Sequence, residues 1–187
     1  MKKIQYNSPV VLTFFFLSLF ALILGYATDQ GTTEVFFSVY KYSLKSPLTY
    51  LRFFTHILGH VSLDDFMENM LLLLVIGPPL EEKYGSNSLL TGILFTALAS
   101  GIFQFTLFPQ ETLMGAGGIV FMMIMLSSLS GMREGKIPLT LIIVGLIYLG
   151  REFFSIGLSV HDTANFMHVV GGVCGTIFGL LEYKIKR

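Results

Sequence analysis

The chain has 187 residues, 53% of them hydrophobic and only 13% charged, with a mean hydropathy of +0.71. A soluble domain of this size carries about twice that charged fraction, so the solvent this composition fits is lipid. Twelve basic and twelve acidic residues cancel and leave no basic excess for a nucleic acid, and the single Cys174 cannot form an intrachain disulfide.

A helix of about 20 apolar residues crosses a bilayer, and six such stretches are predicted within one domain covering residues 1–187. The first is Pro9 to Ala27. Lys2 and Lys3 precede it as in a signal peptide, but its apolar run is too long and no small-residue cleavage site follows, so it reads as a retained helix. A long connection, Thr28 to Ser62, comes next. It carries Val35-Phe36-Phe37, Tyr40, Tyr42, Tyr50, Phe53 and Phe54 with Lys41, Lys45 and Arg52 interleaved, a pattern suited to lying flat among lipid headgroups. The remaining helices are predicted at Leu63–Leu80, Leu89–Phe108, Gly115–Gly131, Ile137–Leu158 and Ala164–Tyr183. The fold class expected is therefore an all-α membrane bundle of six helices.

Six spans place both termini on one side. Lys2, Lys3, Lys83, Arg133, Lys136, Lys184, Lys186 and Arg187 fall on that side, and Lys41, Lys45, Arg52 and Arg151 on the other. The excess of positive charge orients both termini to the cytoplasm.

The fourth helix opens on Gly115-Ala116-Gly117-Gly118, a poor start in lipid because its first N–H groups lack side-chain cover. Such a start fits a site buried inside the bundle and facing a polar cavity. On the sixth helix Gly171, Gly175 and Gly179 recur every four residues and offer a face for close packing. Ionisable and amide groups inside spans are costly and mark function. Here they are Asp64, Asp65, Glu68 and Asn69 on the second helix and Asn165 and His168 on the sixth, with His56 and His60 just ahead of the second. His168 lies three residues before Gly171 and so projects from the glycine face. A histidine facing a glycine-rich helix start is the layout of a serine–histidine catalyst, with N–H groups placed to hold an oxyanion. Only glycine and alanine stand where the nucleophile should be; Ser127 and Ser128 lie about three turns further along.

Four segments carry a family resemblance. Arg52-Phe53-Phe54-Thr55-His56-Ile57-Leu58-Gly59-His60-Val61-Ser62-Leu63 resembles the approach to the second helix of bacterial rhomboid intramembrane proteases. Glu81-Glu82-Lys83-Tyr84-Gly85-Ser86 resembles their next cytoplasmic turn, Gly115-Ala116-Gly117-Gly118 their Gly-x-Ser-Gly, and Asn165 to Gly171 the segment bearing their catalytic histidine. The resemblance covers Arg52 to Tyr183. It implies that His168 stands in the place of the catalytic base, with Asn69 as an oxyanion-hole amide and Gly118 in the same region. Gly115 opens the motif, and His60 matches a histidine at the membrane boundary. Phe121 falls where an aromatic stacks on the base, and Glu81 matches a structural carboxylate. The resemblance also implies a bacterial inner-membrane location, with membrane lipids and transmembrane segments of client proteins as partners.

Two positions depart from the family pattern. Gly117 replaces the nucleophilic serine, a loss worth on the order of 10⁶ in turnover. Asp65 sits where the family places an oxyanion-hole histidine, and an ionised aspartate only accepts hydrogen bonds. Two defects of unrelated chemistry favour a naturally inactive member, a pseudoprotease, over a single inactivating substitution. Asp65 also completes a capping-box pattern with Ser62 as N-cap. His56 and His60 read as interfacial structural residues, and with no third ligand beside them neither a metal nor another cofactor is expected. A protease working through water activated by His168, or a small channel, are the competing readings; charged groups in the spans are too few, and too close to one side, to line a channel.

Overall fold

The computed structural model describes residues 6–131, 136–150 and 163–185. Lys2, Lys3, Arg133, Arg151, Lys186 and Arg187, used above to orient the chain, lie outside these residues, as does the predicted fifth helix beyond residue 150. The described elements are helices, and Val39 and Leu113 form an antiparallel bridge. The long helices are α1 (Pro9–Ala27), α4 (Leu63–Tyr84), α5 (Ser86–Leu107), α6 (Gly117–Leu129) and α8 (Thr163–Ile185). Short helices α2 (Gly31–Phe36) and α3 (Pro47–Thr55) lie between α1 and α4, and α7 (Leu139–Val144) runs on into a π-helical turn, Gly145–Leu149. By length and composition α1, α5 and residues 163–184 of α8 can each cross a membrane, and α6 is apolar but shorter. Large apolar side chains such as Phe16, Phe20, Val75 and Leu146 point outward, an arrangement that favours lipid over water as surroundings.

α5 begins three residues earlier than expected, at Ser86 instead of Leu89, and α4 and α6 differ from the sequence expectation for local reasons. α4 continues past Leu80 to Tyr84 because Glu81 turns inward: its carboxylate accepts the N–H groups of Val10 (2.9 Å) and Val11 (3.0 Å) and the Ser86 hydroxyl (2.7 Å). Glu81 thereby caps the start of α1, where Ser8 makes no side-chain cap. Gly85, at φ +88°, then ends α4. α6 begins two residues later than expected, because Gly115 adopts φ +118° and stays outside the helix.

The connection from 28 to 62 is folded. Arg52 is buried, donates from Nε to the Val35 carbonyl (2.7 Å) and lies over the Tyr40 ring at 4.3 Å. The Thr55 hydroxyl donates to the Phe36 carbonyl. Val39 and Leu113 exchange both backbone hydrogen bonds (2.8 and 2.9 Å), which ties this connection to the segment leading into α6.

The tightest packing is between α6 and α8. A Cβ built on Gly171 would fall 2.7 Å from the Gly118 carbonyl carbon, and one on Gly175 would fall 2.9 Å from that of Met122. A Cβ on Gly179 would fall 2.6 Å from Leu129. The glycine stripe thus brings α8 against the α6 backbone itself. Gly171→Ala should therefore lower stability by about 1–3 kcal/mol in detergent unfolding. Gly131→Ala, where nothing lies within 4 Å of the added carbon, should leave it unchanged.

Candidate functional site

The start of α6 is held from two sides. Gly115 donates its N–H to the His56 carbonyl (3.0 Å), and Gly118 lies so near α8 that an added Cβ would sit 3.2 Å from the Met167 carbonyl oxygen. Ala116 occupies the N-cap and supplies no side-chain cap. The first N–H groups of α6, with the positive end of its dipole, are therefore available to an acceptor at this point.

His168 stands directly opposite Gly117. A Cβ on Gly117 would come within 2.8 Å of His168 Cδ2 and nearer still to Nε2, so the imidazole lies in the room a side chain at 117 would need. The ring is stacked on Phe121, with centroids 4.4 Å apart and planes 5° from parallel. Phe121 is one helical turn beyond Gly117, so one face of α6 presents both the glycine and the aromatic to α8. Ser128 is occupied with its own helix, donating to the Ile124 carbonyl (3.0 Å).

Asp65 and Asn69 lie one turn apart on α4, both half-buried. Ser62 caps the helix by accepting the Asp65 N–H (3.2 Å). The return half of the capping box is displaced by one residue: the Asp65 carboxylate accepts the N–H of Val61 (3.3 Å) instead of that of Ser62. The same carboxylate accepts from Asn69 Nδ2 at 2.7 Å, and Nδ2 donates its other hydrogen to the Asp65 carbonyl at 2.8 Å. Both amide hydrogens of Asn69 are thus committed to Asp65. The reverse orientation would press the amide oxygen against two acceptors. Asp65 Oδ2 lies 3.9 Å from where a Cβ on Gly115 would be, so the carboxylate borders the start of α6.

The rhomboid domain model matches residues 47–185. The chain belongs to the rhomboid family. It is 30% identical over 135 residues to the rhomboid protease GlpG homolog of Cronobacter sakazakii, an alignment covering 70% of this chain and 48% of that protein. The chain spans about half the length of this curated relative. Family membership together with the apolar helices makes it a multi-pass membrane protein.

Two histidines of this rhomboid have surroundings the sequence did not reveal. His56 and His60 are both buried within the protein, at 1% exposure. His56 Nδ1 pairs with the Arg52 carbonyl and His60 Nδ1 with that of Leu58, each at 3.1 Å. His60 packs edge-on to Phe66. Burial pushes the His56 pKa down from 6.5 to about 4; it lowers that of His60 as well, against the pull of Asp65. Among the described residues no group of three metal-ligating side chains occurs.

The sequence reading also passed over Thr96, Ser100 and Gln104, which recur every fourth residue along one buried face of α5. Gln104 donates to the carbonyls of Phe108 (3.3 Å) and Glu111 (3.0 Å) and so shapes the turn toward α6. Ser100, His56, Gly115 and Gly118 border a cavity of about 10 Å³ behind the start of α6, the room one water needs. Polar residues at i, i+4 and i+8 in an apolar helix were the available signal.

Because His56 is neutral when folded and binds a proton more readily when unfolded, its contribution to stability is complete above about pH 6.5. That contribution is lost as the pH falls from 6.5 through 4, up to about 3 kcal/mol. Detergent unfolding followed from pH 7.5 to 4.5 should show this loss, and His56→Gln, which keeps a donor but does not titrate, should flatten it.

Proposed function

We propose that this rhomboid is a membrane pseudoprotease that binds transmembrane segments of client proteins without cutting them. In this reading the chain forms one domain of six spans with both termini in the cytoplasm, as in a bacterial inner membrane. Gly117 takes the place of the nucleophile and His168 that of the base. Asn69, Asp65 and Gly118 border the former oxyanion site, while Gly115, His60 and Phe121 support it. The observation that carries the reading is the pairing of an imidazole, stacked on Phe121, with a residue that has no side chain.

Two further features support inactivity. The imidazole lies against Gly117, so it has no hydroxyl to deprotonate. The amide hydrogens of Asn69 are engaged by Asp65, so they are withheld from an oxyanion, whose loss of one donor alone costs about 10²–10³ in turnover. The tight α6–α8 packing, by contrast, keeps the surrounding bundle intact and a cavity wall in place for a bound segment.

A serine-reactive fluorophosphonate should fail to label the purified protein, and a model single-span substrate should remain uncut; labelling together with cleavage would sink the reading. Restoration tests the two defects separately. Gly117→Ser alone should yield little cleavage, because His168 must retreat to admit the hydroxyl and Asp65 still holds Asn69. Adding Asp65→His should raise the rate at least tenfold, and equal rates with and without it would refute the role given to Asp65.

A further inference from the structure

A groove of about 440 Å³ lies between α1 and α5 and includes neither Gly117 nor His168. It runs from Pro9 to Leu17 along α1 and from Ser86 to Leu94 along α5, with the turn at Ile57 and Leu58 as its floor. Eight residues of helix on either side make it about 12 Å long. That is most of the roughly 15 Å that one leaflet contributes to the hydrocarbon core. Its walls are almost wholly apolar.

One end of the groove differs. Ser86 also borders a second, polar cavity of about 660 Å³, together with Ser8, Glu81, Glu82 and Gly85. Three features there point to a bound group. The start of α5 has no side-chain cap, so the N–H groups of Ser86, Asn87 and Ser88 are placed to meet an anion. Ser8 is 1% exposed, and its hydroxyl has no hydrogen-bond partner among the described residues, a costly state for a buried polar group. Glu82 is exposed at the same cavity, whereas Lys83 beside it donates to the Ser130 carbonyl and lies over the Tyr84 ring. Glu81 is already satisfied by Val10, Val11 and Ser86. Among the described residues no lysine or arginine lines this cavity.

We propose that the groove and the cavity together hold one zwitterionic phospholipid, drawn from the leaflet on the side of the α1 start. One acyl chain lies between α1 and α5, the phosphate meets the start of α5 and the Ser8 hydroxyl, and a headgroup amine faces Glu82. Ser8 and Pro9 are consecutive and Ser86 touches both spaces, so polar gives way to apolar at one level, as headgroup gives way to tail. A phosphate alone would be repelled by Glu82, whereas a headgroup joining phosphate to amine satisfies the carboxylate and the N–H groups at once. A lipid of net negative charge lacks that match. The bound chain fills the seam between α1 and α5, a role separate from whether the protein cleaves anything.

The test uses the full chain in mild detergent, stripped of copurified lipid, with native mass spectrometry reading bound lipid. Added dioleoyl phosphatidylethanolamine should give one retained lipid per chain, and dioleoyl phosphatidylglycerol should be retained at least fivefold more weakly. Thr13→Trp and Leu90→Trp put a ring into the groove from its exposed rim, and each should cut retention at least tenfold. Leu146→Trp, on an exposed apolar face elsewhere, should leave it unchanged. Ser8→Ala should weaken both lipids alike, and Glu82→Gln should erase the preference for ethanolamine. Because Glu82 is exposed, that variant keeps the test decisive should a groove tryptophan impair folding. Retention unaltered by both groove tryptophans would overturn the site. Equal retention of the two lipids by the unmodified protein would overturn the headgroup assignment.

Discussion

The structure depends on how closely the backbones of α6 and α8 approach one another. Gly171 lies against the carbonyl of Gly118 and Gly175 against that of Met122, distances that admit no side chain. In lipid there is no hydrophobic force to drive helices together, so dispersion between closely fitted surfaces does this work, and glycine permits the fit. The consequence for the site is direct. His168 is three residues from Gly171 on the same face, so the contact that packs the helices also fixes the imidazole against Gly117 and over Phe121. Placing the imidazole and packing the two helices are therefore one interaction in this fold.

Asp65 shows a second coupling, between helix capping and chemistry. Its carboxylate sits in the first turn of α4, accepts the Val61 N–H and lies where the helix dipole favours negative charge. These contacts stabilise the helix start. They also draw Asn69, one turn on, into an i, i+4 hydrogen bond that consumes its amide hydrogens. A donor at position 65 would free one of those hydrogens, the backbone carbonyl keeping the other, and would lose the acceptor for Val61. Capping α4 calls for an acceptor at this residue, and in this chain the acceptor stands there.

Much of the fold was legible in the sequence because membrane helices announce themselves by apolar length. The starts of α1 and α4 and the glycine face of α8 follow from hydropathy, from Ser62 and from four-residue spacing. Less legible were features set by contacts between distant segments. That α4 runs on to Tyr84 depends on Glu81 reaching the N–H groups of Val10 and Val11, some seventy residues away in sequence. The burial of His56 and His60 depends on the 28–62 connection folding back, with Gly59 so close to Phe37 that a Cβ would fall 3.0 Å from the phenylalanine Cβ. The facing of His168 and the start of α6 could be read from sequence because each element carried its own signal. The Asp65–Asn69 bond could have been read from the same spacing rule, but the capping pattern at Ser62 accounted for Asp65 first.

The two departures at this site differ in physical kind. Glycine at 117 brings no side chain, and the imidazole of His168 lies in the space one would need. Placing aspartate beside Asn69 adds a charge and redirects two donors. The first leaves the polarity of its surroundings unchanged; the second alters it. Because the carboxylate is bonded to the amide and lies beside the start of α6, their effects are not additive. A serine restored at 117 meets an imidazole that must move, an amide facing the wrong way and a fixed negative charge. Glycine at 117 leaves a group out of the site, whereas the carboxylate at 65 adds a fixed charge at the border of the α6 start.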